Sequence, residues 1–104
     1  MLVRHATPAR NLAGILRAGL LCGESLGTPA VWFHPAARSA WAVLHTVKRH
    51  GGRIESVVIL EVDVPRRWLR KAKGRLWYCP QDVPADRVRR VITFAEFAAS
   101  PVVA

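Results

Sequence analysis

The chain of 104 residues is 51% hydrophobic and 22% charged, the balance of one folded domain with a single core rather than of a disordered or low-complexity segment. No apolar run approaches the roughly 20 residues that cross a bilayer, and the opening Met-Leu-Val-Arg-His lacks the apolar stretch of a signal peptide, so no membrane partner is expected and the expected address is the cytoplasm. Sixteen Lys and Arg against seven Asp and Glu leave a net charge of +9, which directs attention to nucleic acid, nucleotide phosphates or an acidic protein as partner.

Leu2 to His5 reads as a short strand running into the turn Ala6-Thr7-Pro8. Thr7 suits a helix N-cap and Pro8 the first helical position, where its missing N–H costs nothing. From Ala9 the apolar Leu12, Ile15 and Leu16 recur at helical spacing, and Gly19 supplies the left-handed stop common just past a helix end. Leu20 to Pro29 is a loop, and Ala30 to Phe33 is a second strand broken by Pro35. A second helix is predicted from Ala36 to Arg49 and is ended by His50-Gly51-Gly52. Ala37, Ala40, Trp41, Leu44 and Val47 share its apolar face, while Arg38, His45 and Arg49 share a basic one.

Ser56 to Val64 is the clearest strand, and the unbroken Val57-Val58-Ile59-Leu60 marks it as central, covered on both faces. Arg66 to Lys71 is a basic segment of one or two helical turns. Leu76 to Tyr78 and Val88 to Phe94 are further strands, separated by a turn at Val83-Pro84, and Ala95 onward adds a helical turn. The fold class is therefore α+β over residues 1–104 as one domain, with about five or six short strands and two main helices. Disorder is expected only in the tail from Ala98 to Ala104. Cys22 and Cys79 form no Cys-x-x-Cys pair and read as reduced, partly buried thiols.

Several familiar chemistries are missing. The chain has no Walker loop, no Gly-x-Gly-x-x-Gly and no Gly-x-Ser-x-Gly, and its histidines and cysteines have no zinc-ligand spacing, so no metal site is expected. What remains is the order of three pieces. His5-Ala-Thr7 precedes Ile15-Leu-Arg-Ala-Gly19-Leu20; Gly27-Thr-Pro-Ala-Val-Trp32-Phe33-His34 precedes Ser39-Ala40-Trp41; and Val57 to Val64 precedes Val83-Pro84 and the last strand.

This order resembles the ADP-ribosyltransferase superfamily, which includes poly(ADP-ribose) polymerases, DNA-modifying toxins and the NAD-binding lobe of RNA 2′-phosphotransferases. The resemblance spans about Leu2 to Phe94 and implies a small mixed, split β-sheet and NAD as cofactor or substrate. It further implies that His5 and Thr7 contact the NAD ribose and carboxamide. Trp32-Phe33 then stands where the family has Tyr-Phe, Ser39 stands near its serine, and Trp41 near the second aromatic that sandwiches nicotinamide. The family's third motif carries a glutamate that steadies the developing ribosyl cation. Here that stretch, Gly74 to Asp82, holds no glutamate, and Gln81 and Asp82 are its polar candidates for a catalytic role beside His5. Glu61 lies on the central strand and reads as solvated or paired.

The basic segments supply a second set of candidates. Arg38 and Arg49 on helix two, with Arg66, Arg67, Arg70 and Lys71 around Trp68, have the make-up of a surface that holds phosphates and stacks bases. Three functions fit these residues: NAD-dependent transfer of ADP-ribose to nucleic acid or protein, nucleotide or nucleic-acid binding without turnover, and binding of an acidic partner protein. The mark of the third is an exposed apolar patch beside the basic one.

Overall fold

The computed structural model describes residues 1–25 and 28–99. Gly27, which opens the second motif, and residues 100–104 of the tail lie outside them, while Ala98 and Ala99 close the last helix rather than belonging to a disordered end. The class is α+β. The strands are β1 (Leu2–Pro8), β2 (Gly23–Ser25), β3 (Thr28–Phe33), β4 (Val57–Asp63), β5 (Arg70–Lys71), β6 (Trp77–Cys79) and β7 (Val88–Thr93). The helices are α1 (Leu12–Ala18), α2 (Ser39–His50) and α3 (Phe94–Ala99).

The strands form two antiparallel sheets, of order β1-β4-β7 and β2-β3-β6-β5. β4 is central to the first, and its alternation explains the unbroken apolar run. Val58, Leu60 and Val62 enter a core with Val31, Phe33 and Cys79 of the second sheet, while Val57 and Ile59 enter another with Val43 of α2 and Ile92 of β7. Both faces are covered, so both parities must be apolar. Past Leu60 the outer parity carries Glu61 and Asp63 instead. Glu61 is held by Arg4 at 3.1 Å and Arg90 at 3.8 Å, and Asp63 by the N-terminal ammonium at 3.2 Å and Arg89 at 3.7 Å.

Besides that shared core, one backbone bridge among the described residues links the two sheets, Arg4 with His34, through N–H···O bonds of 2.9 and 2.8 Å. From there β1 and β3 diverge. This split positions everything that follows.

Four local expectations change. Thr7 is not a helix cap, because pairing of Thr7 with Val58 and of Pro8 with Val57 carries β1 on to Pro8. Pro8 tolerates that place because it ends an edge strand, and α1 begins only at Leu12, after a tight turn at Ala9–Asn11. The loop from Leu20 to Pro29 contains β2 and the start of β3. The segment from Arg66 gives one turn (Arg66–Trp68) and then a strand, β5.

The largest change is on α2. Its buried face is Ser39, Ala42, Val43 and Thr46, while Leu44 is 61% exposed and Trp41 38%. Small side chains let the helix approach β1 and β4 closely, and the two hydroxyls are satisfied where they are buried. Thr46 Oγ1 donates to the Ala42 carbonyl at 2.7 Å, and Ser39 Oγ accepts from Arg4 Nη1 at 3.0 Å.

Gly19 ends α1 as expected, with φ 88° and its N–H on the Ile15 carbonyl at 2.7 Å. A Cβ there would also lie 2.4 Å from the Val83 carbonyl oxygen, so glycine is required twice over.

Candidate functional site

Where β1 and β3 part, a cleft of about 1040 Å³ opens between α1 and α2. Next to the Arg4–His34 bridge a side chain links the two strands: His5 Nδ1 lies 2.8 Å from the Trp32 carbonyl oxygen. A carbonyl only accepts, so Nδ1 carries the proton, and in the neutral ring Nε2 is an acceptor. Burial lowers the His5 pKa, against the raising effect of that hydrogen bond and with a smaller lowering by His50. His5 is therefore neutral at pH 7. Its ring also stands edge-on to Phe33 at 5.9 Å, so a structural reason for His5 exists beside any ligand role.

The lining is chemically one-sided. All four histidines of the chain, His5, His34, His45 and His50, contribute to it. Arg10 and Arg17 reach it from the α1 side and Arg49 from α2, and no Asp or Glu stands among the described lining residues. The charges feel one another: His50 is lowered by burial first, then by Arg49, Arg10 and His45. His34 is pushed down to about 3, mostly by burial and then by His5, Arg4 and Arg38. Cationic walls with no acid among the described lining give the cavity a field that attracts anions. Its size exceeds the ~300–1,000 Å³ of drug-sized pockets, enough for a dinucleotide.

Aromatic surface is present as well. Trp32 lies against Tyr78 at 5.3 Å, its cross-strand neighbour. Trp41 stacks on His45 at 4.9 Å with only 14° between the rings, and the Arg38 guanidinium sits 4.9 Å from the same indole. Thr7 is buried, and its Oγ1 accepts from Asn11 Nδ2 at 3.3 Å.

No family model matches the chain, and no curated protein matches it.

Of the residues singled out from the sequence, His5, Thr7, Trp32, Phe33, Trp41 and Arg49 meet in the cleft, though Phe33 is also a core residue at 1% exposure. The others do not line it. The Ser39 hydroxyl is occupied by Arg4, and Gln81 is exposed elsewhere. Asp82 Oδ1 accepts from the Cys22 N–H at 2.7 Å, fastening the segment after α1. Arg66 and Arg67 are exposed outside the cleft, and Arg70 donates to the Arg67 and Leu69 carbonyls at 2.8 and 3.2 Å. Trp68 is half-buried against the core with Arg87 5.4 Å above its ring, which removes the stacking face expected there. Lys71 borders a smaller hollow, and Arg38 stands near the turn at Gly74 beside it.

Cys22 and Cys79 are free thiols. Burial raises both, with Asp82 adding to Cys22, so neither is a thiolate nucleophile.

Sequence reasoning passed over Arg10, Asn11, Arg17 and His50. The seven-residue spacing of Arg10 and Arg17 was the available signal for the first pair of cations, since it puts them on one face of the helix read from Ala9, although Arg10 lies in the turn before α1.

Proposed function

We propose that the cleft binds NAD and that the protein is a minimal ADP-ribosyltransferase-like domain, passing ADP-ribose to nucleic acid or protein. The observation that carries the reading is His5: a neutral imidazole, fixed by the Trp32 carbonyl, in a cationic cleft with no acid among its described lining residues. The ordered motifs support it, because the His-x-Thr corner and the two indoles are the residues that come together. In this reading Nε2 of His5 accepts from a ribose hydroxyl. Arg10, Arg17 and Arg49 offset the pyrophosphate charge, and Trp32 and Trp41 supply the aromatic wall beside the base or nicotinamide. The reaction breaks the bond between nicotinamide nitrogen and ribose C1′. Nicotinamide leaves with the electron pair, C1′ bonds to the acceptor nucleophile, and the acceptor gives up a proton.

A second reading, binding without turnover, is favoured by a specific observation. No carboxylate lines the described part of the cleft to stabilise the ribosyl cation, and Asp82 is engaged with Cys22. One experiment separates the two. The protein is incubated with NAD and RNA, DNA or lysate protein while free nicotinamide is measured and NAD-induced melting shifts are recorded. Nicotinamide release that falls by about a hundredfold or more in His5→Ala supports transfer. A melting shift without release supports binding alone, and neither effect removes both readings.

A further inference from the structure

A second hollow, of about 270 Å³, lies beside the main cleft and shares Leu76 with it. Its apolar wall includes Pro35, Ala37 and Trp77, and its charged lining residues are Lys71 and Arg75, with no carboxylate among the described ones. Neither cationic side chain enters a hydrogen bond or ion pair with a described residue. Arg38 stands close by: its Nη2 is 3.6 Å from where a Cβ on Gly74 would be, and its Nε is buried without a partner. Lys71 and Arg75 thus line the hollow, with Arg38 near its turn, and no described carboxylate stands among them.

The backbone adds an independent observation. Arg75 has φ 64°, the one non-glycine residue with positive φ among those described, and it follows Gly74 at φ 71° in a turn closed by the Ala72 N–H on the Leu76 carbonyl at 2.9 Å. A side-chain-bearing residue avoids this conformation, and strain of this kind concentrates where a ligand is held. Here it falls on a residue that lines the hollow.

We propose that the hollow is an oxyanion site that takes a phosphate group, with Arg75 and Lys71 as its direct contacts and Arg38 as the charge beneath the turn. Guanidinium and ammonium groups converging on a concavity lower their mutual repulsion by sharing a polyvalent anion. The space is enough for a phosphate and part of the group that carries it. The site does not depend on what the main cleft binds.

Trp77 lines the hollow and reports on it. The intact protein is titrated with inorganic pyrophosphate by tryptophan fluorescence, with acetate as the ionic control. Binding is expected to saturate and to weaken at least about tenfold in Arg75→Ala, while Arg53→Ala, an exposed arginine elsewhere, leaves it unchanged. Arg75→Gly gives the discriminating second readout: it raises the melting temperature in the absence of anion, because glycine accepts this φ, yet loses the same binding. A purely structural arginine would move neither reading in that combination. Pyrophosphate bound equally well by Arg75→Ala, or lost to the same extent in Arg53→Ala, overturns the site. Loss in Arg17→Ala with none in Arg75→Ala assigns the anion to the main cleft and overturns it as well. A short oligothymidylate run alongside identifies the source. Arg75-dependent binding tighter than that of pyrophosphate supports a polymer phosphodiester, and Arg75-dependent pyrophosphate binding alone supports a small phosphate.

Discussion

Two regions of this small molecule handle cationic charge in opposite ways. On the outer parity of the β1-β4-β7 sheet, Arg4, Arg89, Arg90 and the N-terminal ammonium converge on two carboxylates, Glu61 and Asp63. Along the split, Arg10 and Arg17 face the cleft with no carboxylate in the described lining. The net charge of +9 is thus not spread as a uniform coat: Glu61 and Asp63 staple the sheet, while no carboxylate stands in the described lining of the cleft. A paired cation lowers the cost of its own burial, whereas a surplus facing a cavity adds little to folding and raises the affinity for anions. The sheet should accordingly be the stability-bearing region and the cleft the ligand-bearing one.

The sharpest way to break that division is to damage the sheet core. Leu60 is fully buried on β4, and Leu60→Ala should cost roughly 4 kcal/mol in urea denaturation. Anion affinity measured below the transition should stay unchanged. A large affinity loss with small destabilisation would reverse the assignment.

Next in size is acid. The unfolded His34 ring takes a proton below the ordinary histidine value of 6.5, while the folded one resists until about 3. Stability should therefore fall as pH drops through that window, by on the order of 3 kcal/mol from His34, with His5 and His50 lowered in the same sense. Urea midpoints measured from pH 7 to 4 should show the slope, and His34→Gln should flatten it. An unchanged slope in that variant would move the effect to the carboxylates.

Arg4→Ala removes the ion pair to Glu61 and leaves the buried Ser39 hydroxyl without its donor, for a cost of roughly 2 kcal/mol. Calorimetry of the double variant with Glu61→Gln should recover part of it if the pair is what matters. Smallest of all, Leu44→Ser should change stability by less than about 0.5 kcal/mol, since the side chain is 61% exposed. A loss above 1 kcal/mol, on the same scale, would mean that the apolar stripe of α2 is covered in solution after all.

How much of this was legible in the sequence depended on whether the deciding contacts were local. β4 and the stop at Gly19 were readable because their patterns have one physical solution. The boundaries of α2 were nearly right, but its buried side was not. Periodicity ranks Trp41 and Leu44 above Ser39 and Thr46, and only the Arg4 donor and the Ala42 carbonyl make the polar pair burial-ready. β2 and β5, three and two residues long, exist through their partners and leave no pattern of their own. In the site, the His5 corner and both indoles were visible as motifs. His50 and Arg10 were not, because they become neighbours only when two helices face each other across the split. Ser39, Gln81 and Asp82 were assigned by order along the chain, and order says nothing of which way a side chain faces.

Gly19 has a consequence for anyone who would re-engineer the cleft. One wall of the cavity is α1, and the end of α1 is clamped to the turn at Val83 through the Leu20–Val83 bridge, with bonds of 2.8 Å in both directions. No side chain fits at the clamp. A library built on this scaffold should hold Gly19 and the 83–85 turn fixed and spend its diversity on the exposed Arg17, Leu21 and Arg49. The aperture is set by a hydrogen atom where any other residue would put carbon.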